Sequence, residues 1–168
     1  MTMLEDIEMI KQLKYRYWRC VDSAEIDELR ECFIEAASFK FIGGSYQVEF
    51  VGREKFLDFM RNVNSGDFVS SHFGGQPEIT VTDSSAAEGI WNLLDSSWDF
   101  RRMVLTRGQS TCRDRYTKRE GRWCISHTGY TRIYEVVEPI LERPNLTAHH
   151  LRTVGPQKLA PLGAASSK

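Results

Sequence analysis

The sequence predicts an α+β fold, a cone-shaped barrel in which a strongly bent, mostly antiparallel sheet wraps around N-terminal helices. Three observations lead to this prediction. Apolar residues recur at three- and four-residue steps over the first 34 residues, and again in segment 52–63, which stands between strand patterns. From residue 68 onward, apolar and polar residues alternate in run after run, with turn signals between the runs. Helices followed by a long series of strands are typical of the α+β class.

Three helices are predicted from the helical spacing. The first covers residues 4–21, where the apolar side chains form one stripe and Lys14 lies off that stripe. The second helix covers roughly residues 24–34, and the third covers residues 52–63. The stripe of the first helix consists of Leu4, Ile7, Ile10, Leu13, Tyr17 and Val21.

The strand patterns begin with a hairpin over residues 37–51, which turns at Gly43-Gly44. A polar loop is expected near residues 95–102. The other predicted strands are 68–75, 77–82, 86–94, 103–119 and 122–136, with turns at Asp83-Ser84-Ser85 and Glu120-Gly121. Residues 1–138 are therefore predicted to form one barrel domain. Residues 139–168, which hold four of the five prolines, are predicted to form a C-terminal arm or disordered tail.

Composition excludes several classes of function. The 22 basic and 23 acidic side chains leave a net charge of −1 without a long basic stripe, so a nucleic-acid partner is not expected. No apolar run reaches the roughly 20 residues that a membrane span needs, and the N-terminus lacks a signal-peptide pattern. The four cysteines show no CxxC spacing, and the four histidines show no HxxxH spacing, so neither a disulfide framework nor a metal site is expected. These features predict a cytoplasmic protein with reduced thiols.

Asp22 follows the apolar stripe of the first helix and allows two interpretations. As an N-cap of the second helix it would accept backbone N–H groups, with Glu25 three residues later completing a capping box. Alternatively, Asp22 holds a catalytic partner, and His72 in a predicted strand is the candidate. A carboxylate that accepts an imidazole N–H fixes the tautomer and stabilises the imidazolium. On its own, each residue also has a purely structural interpretation.

Two sets of residues together form a recognisable pattern. A Y-x4-D pair ends the first helix and is followed 50 residues later by a strand histidine, and the closing hairpin carries a D-x-Y…G-x-W-x-I motif. These residues are Tyr17, Asp22, His72, Asp114, Tyr116, Gly121, Trp123 and Ile125. The pattern resembles the SnoaL-like branch of the nuclear transport factor 2 superfamily over roughly residues 3–135.

Within that superfamily the pattern is similar to three lyases: scytalone dehydratase, γ-hexachlorocyclohexane dehydrochlorinase and bile-acid 7α-dehydratase. The resemblance implies that Asp22 and His72 form a hydrogen-bonded dyad in which His72 is the general base. It implies that Tyr17 is the phenol that supports a developing oxyanion or the departing hydroxyl. It also implies that no metal or organic cofactor is needed. The second acid of the bile-acid enzyme has no secure match in the sequence.

Arg132 is a further candidate, because Thr128, Tyr130 and Arg132 share one face if the last strand is regular. There it would bind an anionic group of the substrate. The alternatives are an exposed arginine at the strand end or a contact between subunits.

The predicted function is that of a cofactor-independent, dehydratase-like lyase or an isomerase. Its expected substrate is a small, cyclic, mostly apolar molecule. The alternatives are a non-catalytic binding protein of the same fold and an assembly subunit like the β subunit of aromatic-ring dioxygenases. A homo-oligomer, dimer or trimer, is expected through the outer face of the long sheet. Met103, Leu105, Trp123 and Ile125 indicate an apolar face there.

Overall fold

The computed structural model describes residues 2–44 and 46–154. The helices are α1 (Met3–Ser23), α2 (Ile26–Glu31), α3 (Arg53–Val63) and α4 (His150–Val154). The strands are β1 (Phe33–Ile42), β2 (Gln47–Val51), β3 (Phe68–Val81), β4 (Ala86–Asp99), β5 (Val104–Arg119) and β6 (Arg122–Pro139). The predicted arm from residue 139 onward is described only as far as Val154, and its remainder lies outside the described residues.

The six strands form one curved sheet in the order β2-β1-β6-β5-β4-β3. All neighbouring strands are antiparallel except β1 and β6, which are parallel. Register breaks interrupt the β3–β4 and β5–β6 ladders, and such irregularities let long strands bend. The predicted α+β class, with a bent and mostly antiparallel sheet around N-terminal helices, is confirmed.

The core lies between the helices and the concave face of the sheet, and aromatic rings fill much of it. Phe39 and Phe56 stack with their ring centroids 4.2 Å apart, and Phe33 meets Phe39 edge-on at 4.9 Å. Helix α1 begins with a capping box, in which Thr2 and Glu5 satisfy each other's backbone N–H groups. Its buried face then packs against β3 and β6.

Three predicted boundaries differ from the structure. Helix α2 ends at Glu31 and Phe33 already belongs to β1, because its ring, only 2% exposed, completes the aromatic core. Strand β3 is continuous through the predicted break near residue 76, with a register shift between Gly75 and Glu78 where Pro77 offers no N–H to the ladder. The predicted loop at 95–102 is largely strand, because β4 continues to Asp99 and pairs on both sides.

Two interpretations of single side chains are also wrong. Lys14, predicted to lie off the apolar stripe, is completely buried because it pairs with Asp114 across the core. Trp123 and Ile125 belong to the core rather than to an outer apolar face. The exposed apolar residues of the sheet lie elsewhere. The cross-strand row of Phe73, Leu94, Gln109 and Tyr134 carries three of them, with Phe73 77% exposed.

Candidate active site

Asp22 lies in the last turn of α1 and not at the start of α2. The residue that precedes α2 is Glu25, and no described side chain caps that helix. The carboxylate of Glu25 instead accepts a hydrogen bond from Arg19. A negative charge in the last turn of a helix opposes the helix dipole, which favours cations there. The cap interpretation of Asp22 is therefore wrong, and its position calls for another partner.

That partner is strand β3. One carboxylate oxygen of Asp22 accepts hydrogen bonds from Nδ1 of His72 at 2.6 Å and from the Ser70 hydroxyl at 2.7 Å. The other oxygen accepts from the backbone N–H of His72 at 2.8 Å. Ser70 and His72 reach the same carboxylate because side chains two residues apart in a strand lie on one face. Burial alone raises the pKa of Asp22, but these hydrogen bonds outweigh it and hold the pKa below its ordinary value.

One ring nitrogen of His72 has no hydrogen-bond partner in the described part of the chain. Because Nδ1 lies 2.6 Å from a carboxylate oxygen, we assign the ring proton to Nδ1. Nε2 then carries the lone pair, and no described residue donates a hydrogen bond to it. The side chain is 21% exposed, so a small molecule can reach the ring. His72 is thus positioned as a base with its second nitrogen held by Asp22.

A close approach of α1 to β3 brings the dyad together. A Cβ atom at Gly74 would lie 2.0 Å from the indole of Trp18, so only a glycine leaves room for that ring. Trp18 lies one helical turn before Asp22, and Gly74 lies two residues after His72. The contact therefore sets the distance between the helix end and the strand that carry the two groups.

Tyr17 lies inside the core, beside Phe33 and Phe56, and is only 7% exposed. The Lys14 ammonium lies over its ring, 4.7 Å from the centroid. Burial raises the pKa of Tyr17 well above its ordinary value, so the phenol stays protonated at neutral pH. Among the described residues its hydroxyl has no hydrogen-bond partner, and it makes no bond to Asp22 or His72.

Arg132 lies on the concave side of β6 but is already paired. It forms a bidentate ion pair with Asp95 at 2.6 and 2.8 Å, and its Nε donates to Glu135 at 3.1 Å. A further hydrogen bond reaches the Ser110 hydroxyl. Burial opposes the charge of Arg132, but the hydrogen bonds to Asp95 outweigh it and raise its pKa.

Asp95 is the site residue that sequence reasoning missed. Its Cα pairs with that of His72 in the β3–β4 ladder, so the two side chains lie on the same face of neighbouring strands. The sequence hides this pairing, because residues 95–99 are polar and suggest a loop. The turn at residues 83–85 was a usable signal. Counting outward from it along β3 and β4 places Asp95 nearly opposite His72.

A buried polar network lies deeper, below Tyr17. Lys14 forms an ion pair with Asp114 at 2.8 Å and donates to the Thr128 hydroxyl at 3.1 Å. Asp114 also accepts hydrogen bonds from the hydroxyls of Thr128 and Tyr116, each at 2.7 Å. The D-x-Y motif of the closing hairpin thus has a structural role, since it anchors α1 to the sheet.

One group of possible metal ligands occurs in the described part of the chain, formed by Cys20, Glu25 and Glu28. Both glutamates pair with Arg19, at 2.6 and 2.5 Å. Burial raises the pKa of the Cys20 thiol to about 12, which disfavours the thiolate that a metal would need. This group is therefore a poor metal site, and it does not include the dyad.

Three clefts in the described structure lie away from Asp22 and His72. Two of them, of about 310 and 340 Å³, are near Glu88 and Arg115. The third, of about 470 Å³, borders Met9 on α1. A substrate pocket at the dyad stays a prediction.

A family model described as a SnoaL-like domain matches residues 2–129, which is 128 of the 168 residues. The chain belongs to this family. The predicted placement in the SnoaL-like branch of the nuclear transport factor 2 superfamily is therefore confirmed. No helix among the described residues of this family member is both long and apolar enough to span a membrane.

Solved structures with the same fold support the placement of this SnoaL-like protein. A hexachlorocyclohexane dehydrochlorinase, type 2, superposes with a TM-score of 0.72 at 18% identity, covering 85% of this chain and 97% of that one. A scytalone dehydratase-like protein from Novosphingobium aromaticivorans gives 0.70 at 15% identity, covering 84% and 97%. The type 3 dehydrochlorinase from Novosphingobium barchaimii gives 0.68 at 20% identity, covering 80% and 91%. At these identities the likeness establishes the fold.

Proposed function

We propose that this protein is a cofactor-independent, dehydratase-like lyase or isomerase in which His72 is the general base. The observation that carries the proposal is the 2.6 Å contact between Nδ1 of His72 and Asp22, with Nε2 left free. Structural neighbours that include a dehydrochlorinase and a scytalone dehydratase-like protein support a lyase. An assembly subunit would need no such dyad, so that alternative is disfavoured.

The geometry suits the removal of a proton from carbon. Nε2 takes the proton beside a carbonyl group, the carbon–hydrogen electron pair forms the new C=C bond, and the C–O bond to the β-hydroxyl breaks. The lowered pKa of Asp22 keeps a negative charge beside the imidazolium that forms. General base catalysis of this type accelerates the reaction by roughly 100- to 10,000-fold. Orientation of the bound substrate supplies the remaining rate acceleration.

The departing hydroxide needs a proton to leave as water, and we assign that role to Tyr17. Its phenol is kept protonated by burial, and its hydroxyl is not used by any described residue. The imidazolium proton then restores the phenol through solvent, so the cycle releases one water per substrate and needs no cofactor. The expected substrate is a small, cyclic and mostly apolar molecule, because Tyr17 belongs to a cluster of aromatic and aliphatic side chains.

The test uses a panel of cyclic β-hydroxyketones, with enone formation followed by ultraviolet absorbance. His72→Ala and Asp22→Asn should each lower kcat/KM by at least 100-fold, and the double variant should be scarcely worse, because groups that act as a unit are not additive. Asp83→Asn is the control, since it makes the same change in an exposed turn at the opposite end of β3.

Strictly additive losses, or full activity of His72→Ala, would contradict the dyad. If no panel member is turned over but some bind, and His72→Ala abolishes that binding, the protein is a non-catalytic binding protein of the same fold. Tyr17→Phe tests the proton donor. It should lower kcat more for substrates that lose hydroxide than for substrates that lose acetate, because acetate can leave without being protonated.

A further inference from the structure

Arg132, which pairs with Asp95 on the strand beside His72, has almost no hydrogen-bonding capacity left for a ligand. Among the described residues, Arg132 uses four of its five N–H groups, two toward Asp95, one toward Glu135 and one toward Ser110. Its side chain is 8% exposed, and those of Asp95 and Glu135 are 8% and 7% exposed. The expected role of Arg132, binding an anionic group of the substrate, is therefore blocked by two carboxylates of the protein itself.

The same carboxylates give this end of the site an excess of negative charge. Asp95 and Glu135 contribute two negative charges against the single positive charge of Arg132. Asp22 adds a third, because its pKa lies below the ordinary value. Lys14, a second buried cation, is paired with Asp114 in the core. Arg132 and Lys14 are thus both neutralised by carboxylates of the protein.

These groups share one face of the sheet with the proposed base. Asp95 pairs with His72 across the β3–β4 ladder, and Arg132 joins Asp95 from β6. Glu135 also accepts from the backbone N–H of Gly44 at 3.2 Å, which fixes it at the tip of the β1–β2 hairpin. Both carboxylates are thus held in place by hydrogen bonds.

From this arrangement we infer that the site selects uncharged substrates and rejects their anionic counterparts, with Asp95 and Glu135 as the residues that determine the selectivity. The inference rests on the proposed function only for the location of the site. In a partly buried site, a nearby protein charge without a counter-charge changes the affinity for a charged ligand by about tenfold or more. Carboxylate products and acidic ring compounds are excluded on this basis, whereas ring alcohols, ketones and enones are admitted.

The experiment compares 2-naphthol with 2-naphthoate, two rings of nearly equal size that differ in charge at pH 7. Affinity is measured by calorimetry, and the shift of the His72 imidazole NMR resonance shows that the ligand is at this site. Wild type should bind naphthol at least tenfold more tightly than naphthoate. Asp95→Asn should strengthen naphthoate binding at least tenfold, while naphthol changes by less than threefold, because the substitution removes a negative charge and releases Arg132.

Glu135→Gln is the second variant and should also strengthen naphthoate binding. It provides the test if Asp95→Asn does not fold. Asp83→Asn removes one negative charge in a remote turn and should change neither affinity. Any of three results would overturn the inference. Wild type binds the two ligands equally, wild type binds neither, or the variants do not bind naphthoate more tightly. Turnover is not part of this readout, so loss of the proposed lyase activity and loss of charge selectivity are scored separately.

Discussion

Replacing Lys14 by methionine should be among the most destabilising single changes in this fold. The Lys14 side chain is fully buried, and its ammonium lies 2.8 Å from Asp114. Methionine keeps most of the aliphatic stem but removes the charge, so Asp114 is left as a buried carboxylate with only the hydroxyls of Thr128 and Tyr116. Breaking a buried pair from one side costs about 3–5 kcal/mol. For a chain of this length each kcal/mol corresponds to roughly 2–4 °C, which gives a fall in Tm of roughly 6–20 °C.

The assay is urea unfolding followed by tryptophan fluorescence, with Tm from circular dichroism. Lys11→Met is the matched control, because Lys11 lies one turn earlier on the same helix and only pairs with Glu8 at the surface. It should change the unfolding free energy by no more than about 0.5 kcal/mol. Lys14→Met combined with Asp114→Asn should recover much of the loss, since both charges are then gone. A loss below about 1 kcal/mol in Lys14→Met, or a double variant as unstable as the sum of the singles, would refute the reasoning.

Three further outcomes follow from the structure. Gly74→Ala should lower the unfolding free energy by about 1–3 kcal/mol, because the new Cβ collides with Trp18. Gly75→Ala is the control and should be nearly neutral, because a Cβ there meets nothing within 4 Å. Equal effects of the two variants in urea titrations would show that Trp18 moves to make room. Because the pKa of Asp22 is lowered on folding, its carboxylate stabilises the protein above about pH 4, and this contribution disappears as pH falls through the folded pKa. The difference in unfolding free energy between wild type and Asp22→Asn should therefore shrink from pH 6 to pH 3, and a constant difference would exclude the linkage. Light scattering should show a dimer or trimer at micromolar concentration that Phe73→Asp converts to monomer; a monomeric wild type would contradict the proposed outer-face association.

The order of helices and strands was predictable because each element has a local period that survives in the sequence. Helix α1 and strands β5 and β6 lie within a few residues of their predicted bounds. Boundaries failed where a long-range contact outweighs local pattern. Phe33 leaves the helical pattern because the aromatic core binds its ring, and the polar residues after Leu94 remain in strand because Asp95 pairs with Arg132.

The candidate site was predictable only where the family pattern supplied the pairing. Nothing local distinguishes Asp22 from a helix cap. His72 was only a candidate partner until the resemblance implied that the two residues form a dyad. The pairing of Asp95 with His72, and hence the neutralisation of Arg132, depends on the register of β3 against β4. A one-residue change of register reverses every side chain in a strand, so this contact is decided by the ladder and not by composition.

The buried charges of this fold divide into two kinds, and the division bears on function. Asp114 accepts from three donors, Lys14 donates to two acceptors, and both are almost fully enclosed, as stability requires of ionic groups in a core. Asp22 is also satisfied, yet it opposes the dipole of its own helix, and every donor it receives comes from the strand that carries His72. The second ring nitrogen of His72 has no partner among the described residues, and the side chain is 21% exposed. A purely structural pair would gain from enclosing that nitrogen, whereas a base must leave it free for the proton that it removes.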